Sequence, residues 1–553
     1  MRTRIRCIAG ILSLLVLLLS ACGGVTSTPS PPPELPPGAD FSISLSTSSA
    51  STEVGGQTSP VTVSVTGING FNLSVGVAVY GIPEGIASSP TAPFSVAAGS
   101  SQQLTFAAPA AAGTFTVTLL ATNGALSHSA TLTLTVTPKP NPFLVAASYY
   151  PWYSAAAWEY MECYEGSLRG NLIPSQLPAL GEYDSQLEAT ISQQIAWSVA
   201  GGVNVWDMEW VGPNNSLDDT FRNNILTNPH VADIRFAIMY DYAIRFAGDF
   251  NLTQDKITTI LSDFTYFGQA YFNHPSYLKV GGNRPVVFIY ATRAFWPVSA
   301  VQDMVAALRK TMSDLGYDVY LIGDEYYALS PPDPVRISLW DGIFGYDVYC
   351  GYYGYADQNG YFALHQTMED QYQAVAQENG VDFIPSVMPG FNDRAVRRVC
   401  ANNPALARRT SPGAPEGSMF SNILGNIALP HAMNSRTKMI HITSFNEWHE
   451  DSQIEPSIVT GYTVGDNSPT GYQYTQGLVY EGYGTTYMDI IRNQIAAFVT
   501  HSPPSHQDKA VAGSWPRRPL PRASTYGAIL ASRAPSGLGL RPFRNLRGAC
   551  PGR

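Results

Sequence analysis

The chain has 553 residues, 45% of them hydrophobic and 11% aromatic, with a formal net charge of −10. That length calls for more than one domain, and that composition places the chain among globular proteins able to bury a large core. Residues 143–502 carry 19 Lys and Arg against 37 Asp and Glu, whereas residues 503–553 carry nine against one, so the large central region is acidic and argues against nucleic acid as its partner.

The N-terminus reads MRTRIRCIAGILSLLVLLLSACGG, with Arg2, Arg4 and Arg6 ahead of a short apolar run. Charge and length predict a secretory signal over residues 1–21. The run Leu19-Ser20-Ala21-Cys22 resembles the bacterial lipobox. That resemblance implies cleavage before Cys22 and lipidation of Cys22. Acyl chains would hold an exported lipoprotein on the bacterial cell envelope, at the outer membrane or cell surface, without a spanning helix. An ordinary signal peptide with an incidental Cys is the alternative. No later segment is long and apolar enough to cross a bilayer. Residues 22–39 then form a Pro/Ser-rich linker, read as an extended spacer. Cys163, Cys350 and Cys400 leave room for one disulfide whose pairing the sequence does not choose.

Residues 40–138 contain no Lys or Arg and alternate apolar with small polar residues, as in VTVSVTG, GTFTVTLLATN and SATLTLTVTP. Period-two runs separated by Gly, Asn and Pro predict an antiparallel β-sandwich. The stretch NGFNLSVGVAVYGIPEGI resembles bacterial immunoglobulin-like modules, which implies a spacer or a glycan-binding appendage. From residue 143 the rhythm becomes strand then helix. Strands are predicted at 144–149, 203–207, 235–240, 285–290, 318–322, 341–346, 382–387 and 438–443, with amphipathic helices at 186–200, 254–271, 298–315 and 363–379. Eight such strands over 143–502 predict a (β/α)8 TIM barrel, α/β in class. An open doubly wound sheet is the alternative, but SYYPWYS after the first strand is no Gly-rich phosphate loop. Residues 503–553, rich in Pro, Arg and Gly, are expected to be disordered.

Active sites of such barrels lie at the C-terminal ends of the strands. There the sequence places Tyr149 to Tyr153, then Asp207, Glu209 and Trp210, then Tyr240 and Asp241, then Tyr290 and Arg293. Asp324 and Glu325, Asp347 and Tyr349, and Asn392 to Arg394 follow. Carboxylates bind and deprotonate hydroxyls, and aromatic rings stack on sugar faces, so the pattern suits a carbohydrate. The eighth strand runs into SFNEWHEDSQIEPS, with Glu447, Glu450, Asp451 and Glu455 within nine residues. A glycosidase needs one protonated and one ionised carboxyl group. Trp448 could shield one of them and raise its pKa. A metal site using Glu447, His449, Glu450 and Asp451 is a rival, although the spacing fits neither HExxH nor an EF-hand. A solvated acidic loop is a third reading.

The segment SFNEWHEDSQIEPS resembles the NEWHEGTxIEP segment of glycoside hydrolase family 99, which holds endo-α-1,2-mannosidases and mannanases. YYPWY, LGEYDSQLEATISQQIAWSVAGGVNVW, FAIMYD, HPSYLKVGGNRPVVFIY and VMPGFNDRAVR resemble other stretches of that family in order. Family 71 and WbsX-type proteins share parts of the pattern. The resemblance implies a retaining endo-acting hydrolase of an α-mannoside, with no cofactor and no metal. Glu447 would take the proton of the sugar 2-hydroxyl, giving a 1,2-anhydro intermediate, and Glu450 would be general acid and then base. Tyr150, Trp152, Asp184, Trp210, Tyr290, Trp448 and His449 are the expected substrate contacts. The expected partners are a polysaccharide or N-glycan-type α-glycan, and the membrane through the anchor. A non-catalytic glycan-binding lipoprotein and an envelope-glycan transferase are the competing functions. Asp451-Ser452 replaces the usual Gly-Thr. For the anchor, Cys22→Ala is expected to move the protein from the detergent phase to the aqueous phase on phase partition; equal partition of both forms would refute lipidation.

Overall fold

A computed structural model of the chain describes residues 35–501, apart from 83–85, 109–112, 138–139, 155–157, 159–166, 328–329, 349–351, 353 and 397–404. The signal with Cys22, most of the linker, the basic tail, and Cys163, Cys350 and Cys400 lie outside the described residues. The chain divides into two units, one ending at Thr137 and the other beginning at Pro138.

In the first unit the period-two runs form two sheets. One orders Asp40–Leu45, Val61–Ile68, Ser101–Ala108 and Gly56–Gln57, with Ala87–Ser89 also on Ser101–Ala108. The other orders Ser49–Glu53, Leu126–Thr137, Gly113–Asn123, Ser74–Tyr80 and Phe94–Ala97. Alternate residues such as Val61, Val63 and Val65, or Leu132, Leu134 and Val136, enter one apolar cluster with contributions from both sheets, as strand geometry requires. All neighbours are antiparallel except Ser49–Glu53, which runs parallel to Leu126–Thr137.

The second unit is a closed parallel barrel. Its strands are β1 (Leu144–Tyr149), β2 (Val205–Trp210), β3 (Arg235–Tyr240), β4 (Arg284–Ile289), β5 (Tyr320–Asp324), β6 (Gly342–Phe344), β7 in two pieces (Asp382–Phe383 and Ser386–Val387) and β8 (Met439–Ile442). Each pairs in parallel with the next, and β8 pairs with β1 through Leu144↔Met439 to Ala147↔Ile442. Pro385 interrupts β7, having no N–H to give to the ladder. Its carbonyl still accepts from the His441 N–H at 3.0 Å. The helices include α1 (Glu188–Gly201), α2 (Gln254–Ala270), α3 (Val298–Asp314), α4 (Tyr361–Glu378) and α5 (Thr486–His501). In α3, Val301, Met304, Val305, Leu308 and Met312 make one buried stripe, the spacing of an amphipathic helix. Gly316, at φ 87°, lets the chain turn away after it.

Each barrel strand sends alternate side chains to two separate apolar layers. Ala146, Val205, Ala237, Met239, Val286, Phe288, Tyr320, Ile322, Phe344 and Met439 fill the barrel interior. Val145, Trp206, Met208, Trp210, Phe236, Ile238, Tyr240, Val287, Leu321 and Ile440 face outward into the layer shared with the helices. A buried polar cluster lies inside the barrel. There Asp207 Oδ2 accepts from the Ser148 hydroxyl at 2.8 Å and lies 3.2 Å from His441 Nε2. At Gly323 on β5, a Cβ would come within 2.7 Å of the Trp340 ring, which is fully buried and donates to Glu325 Oε1 at 3.0 Å. Gly323→Ala is therefore expected to destabilise the barrel by about 1–3 kcal/mol through overpacking. Denaturant unfolding of the full chain followed by Trp fluorescence would measure it, and a change within about 0.5 kcal/mol would show that Trp340 yields freely.

Candidate active site

The C-terminal ends of the strands open onto a pocket. β1 delivers Tyr150 and Trp152, and β2 delivers Glu209. β3 delivers Met239 and Asp241, and β4 delivers Tyr290. β6 delivers Tyr346 and Asp347, and the loop after β8 delivers Glu447 and Glu450. Residues at the ends of β1, β2, β3, β4 and β6 therefore meet those of the loop after β8 in one place.

The loop after β8 is tied to itself. Ser444 N–H donates to the Ser452 carbonyl at 2.7 Å, and the Ile454 and Glu455 N–H groups donate back to the Phe445 carbonyl at 3.0 and 2.8 Å. Residues 446–451 are left as a tight protrusion. Asn446 pairs in both directions with the Tyr150 backbone, at 2.8 and 3.0 Å. Glu447 receives its own order from Ser444 Oγ, which accepts from its N–H at 2.8 Å. Its Oε1 accepts from the His449 N–H at 3.0 Å and lies 3.3 Å from His449 Nδ1. The carbonyl of Glu450 accepts from Asn392 N–H at 2.8 Å. Both carboxylate-bearing positions are thus fixed by backbone contacts, which preorganises them.

Opposite them, the Tyr150 and Tyr346 hydroxyls are hydrogen-bonded to each other. Burial, reinforced by nearby Glu447 and Glu450 and, for Tyr150, by Glu209, pushes both phenols well above their ordinary pKa. They remain protonated, and one hydroxyl donates to the other. Asp347 is pinned by Arg293, whose other arm binds Asp324. Asp324 in turn accepts from the Ala291 N–H at 2.8 Å and the Tyr346 N–H at 3.1 Å. Asp241 Oδ1 accepts from the Ile244 N–H at 2.8 Å. Five carboxylates as hydroxyl acceptors and four aromatic rings make a site for a polyhydroxylated ring. Among the described residues, no group of three or more His, Cys, Asp or Glu is arranged to hold a metal ion.

Residues 148–473 match glycosyl hydrolase family 99. The chain belongs to that family. It is a glycoside hydrolase, similar to glycoprotein endo-alpha-1,2-mannosidase of Rattus norvegicus, at 23% identity over 353 residues that cover 58% of this chain and 69% of the relative. The Xenopus laevis protein of the same name is 26% identical over 292 residues, covering 51% of this chain and 58% of that protein. Among solved structures, the GH99 endo-alpha-mannosidase from Bacteroides thetaiotaomicron is 20% identical, with TM-score 0.45, covering 65% of this chain and 98% of that one.

In this family 99 hydrolase, Glu447, Glu450, Tyr150, Trp152 and Tyr290 meet in one pocket. Four other expected contacts stand elsewhere. Trp210 points outward from β2, stacked 5.6 Å from Tyr240, with its Nε1 donating to Asp218 at 2.8 Å. Strand parity decides this: Glu209 faces in, so Trp210 must face out. Asp184 sits in the loop before α1 and accepts from the Gln186 N–H at 2.8 Å. Trp448 is fully buried beneath the loop. His449 stands behind Glu447, its ring 5.3 Å from Tyr153 and 6.1 Å from Trp152. Glu209, Asp241 and Asp347 were visible in sequence only as residues following strands, and Tyr346 and Met239 only as strand residues. Counting inward positions along each strand would have selected them.

The raised carboxyl of the loop is Glu455. It is fully buried and accepts from Trp448 Nε1 at 2.7 Å, Tyr183 OH at 2.8 Å and Gln194 Nε2 at 2.7 Å. Burial pushes its pKa from 4.5 up to about 7, against the pull of those three donors. The folded state therefore prefers the protonated form. That preference stabilises the fold fully below pH 4.5 and is lost as pH rises through about 7. Glu455→Gln keeps the shape and removes the titration. Its stability relative to wild type is expected to rise by roughly 2–3 kcal/mol between pH 4.5 and 8. Parallel pH profiles of the two proteins would contradict this.

Proposed function

We propose that this hydrolase cleaves an α-mannoside within a glycan chain, with retention, through a 1,2-anhydro sugar. The observation that carries this reading is the presence of Glu447 and Glu450 together in one pocket, each with its backbone fixed. The names of the similar rat and frog proteins support an α-1,2-mannoside as substrate class.

In the first step Glu447 removes the proton of the sugar 2-hydroxyl, and O2 attacks C1. The C1–O bond to the leaving sugar breaks as Glu450 protonates that oxygen. In the second step Glu450, now ionised, takes a proton from water, whose oxygen attacks C1 and opens the three-membered ring. Glu447 returns its proton to O2. Two inversions at C1 give net retention. Proton transfers of this kind each contribute about 10²–10⁴-fold in rate. Tyr150, Trp152 and Tyr290 bound the sugar ring with their aromatic faces, and Glu209, Asp241 and Asp347 accept its hydroxyls. Upstream, the lipidated Cys22 and linker hold the enzyme at the envelope, and the all-β unit, read as immunoglobulin-like, acts as a spacer.

Purified protein offered α-mannans, α-glucans and N-glycan fragments is expected to release α-configured product from an α-mannoside, followed by proton NMR. A β-anomer at the first time point would overturn retention. Glu450→Gln and Glu447→Gln are each expected to lower kcat by at least about 10²-fold with the fold intact by circular dichroism. Near-wild-type turnover by either would remove that residue from its role.

A further inference from the structure

The residue after Glu450 is Asp451, and its carboxylate is not in the pocket. Asp451 takes a left-handed backbone conformation, φ 53°. Glycine adopts that region freely, whereas Asp and Asn are among the few side-chain-bearing residues that tolerate it. The turn reverses the chain directly behind Glu450. It sends the Asp451 side chain into a fully buried compartment on the far side of the loop.

Two arginines wait there, both with no exposed surface. Arg169 Nε donates to Asp451 Oδ1 at 2.6 Å. Arg408 Nε lies 3.4 Å from Oδ2, and its Nε and Nη2 donate to the Asp451 carbonyl at 3.3 and 3.1 Å. Arg408 also binds the Gln453 carbonyl and lies 5.2 and 4.8 Å from the Tyr483 and Tyr487 ring centroids. Arg169 reaches Glu416 Oε1 at 3.2 Å and the Glu481 carbonyl at 3.0 Å. Gly390 leaves room for the Arg408 stem, since a Cβ there would meet Arg408 Cγ at 2.5 Å. A buried ion pair of this kind is a costly way to gain stability, but here it defines geometry: Arg169 holds Oδ1 by a hydrogen bond, and Arg408 holds the Asp451 carbonyl by hydrogen bonds while facing Oδ2 as an ion pair.

We infer that Asp451, clamped between Arg169 and Arg408, is the positioning residue of Glu450: the pair fixes the turn that aims the Glu450 carboxyl at the leaving-group oxygen. The inference rests on Glu450 being the general acid. Its signature follows from that role. An acid matters most when the leaving group is a poor one, such as a sugar alkoxide. It matters little when the leaving group departs unaided, as a dinitrophenolate does.

The test compares wild type, Glu450→Gln, Asp451→Asn and the charge-balanced pair Asp451→Asn/Arg169→Gln. Each acts on the glycan that wild type cleaves and on a dinitrophenyl α-glycoside of the same sugar, with first-turnover phenolate release measured. Asp451→Asn is expected to lower kcat on the glycan at least tenfold with KM within threefold. Its release of dinitrophenolate should stay within threefold of wild type, the pattern of Glu450→Gln. The double variant, which removes one cation with the anion, is expected to recover thermal stability but not turnover of the glycan. Equal losses on both substrates, or full glycan turnover by folded Asp451→Asn, would overturn the positioning role. Retained glycan turnover by Glu450→Gln would instead overturn the acid assignment. A wild type inactive on every glycan tested would remove both.

Discussion

Closing eight parallel strands into a barrel leaves each strand residue only two directions, into the barrel or out toward the helices. Everything at the site depends on that choice. Ala146, Ser148 and Tyr150 run inward along β1, and Val205, Asp207 and Glu209 do so along β2. The last inward residues of β1, β2, β3, β4 and β6 reach past the filled interior and meet one another. The same alternation sends Trp206 and Trp210 to the helix layer. The pocket is thus a consequence of sheet closure before any residue in it is specialised.

The loop after β8 converts that geometry into chemistry. Three carboxylates within it are held in three different surroundings. Glu450 faces the pocket. Asp451 faces two buried guanidinium groups. Glu455 lies beneath the loop among the Trp448, Tyr183 and Gln194 donors. Tyr183 also accepts from Asn446, which pairs with the backbone of Tyr150 in the pocket wall. The buried acid and the open pocket are therefore linked by a short run of hydrogen bonds. Such networks hold their shape because breaking any member strands a polar group away from water.

Much of the barrel was legible in the chain because its strands are buried on both faces and read as continuous apolar runs between amphipathic helices. The run at 235–240 and the run at 144–149 coincide with β3 and β1. Boundaries moved where side-chain chemistry was ambiguous. The second strand runs from Val205 to Trp210 because Asp207 and Glu209 are inside the barrel, although charged residues ordinarily signal a strand end. The sixth strand is only Gly342–Phe344.

By itself the sequence determined the periodicities, the acidic character of the catalytic region and the clustering of carboxylates after the last strand, because these are local properties of the chain. It also carried the family motif. Tertiary structure alone decided which carboxylates face the sugar site, since Glu447 and Asp451 belong to one short acidic run and only the path of the loop separates them. It decided that Asp451 meets Arg169 and Arg408, residues 282 and 43 positions away in the chain. No local pattern encodes such partners, because their meeting requires the barrel to have closed.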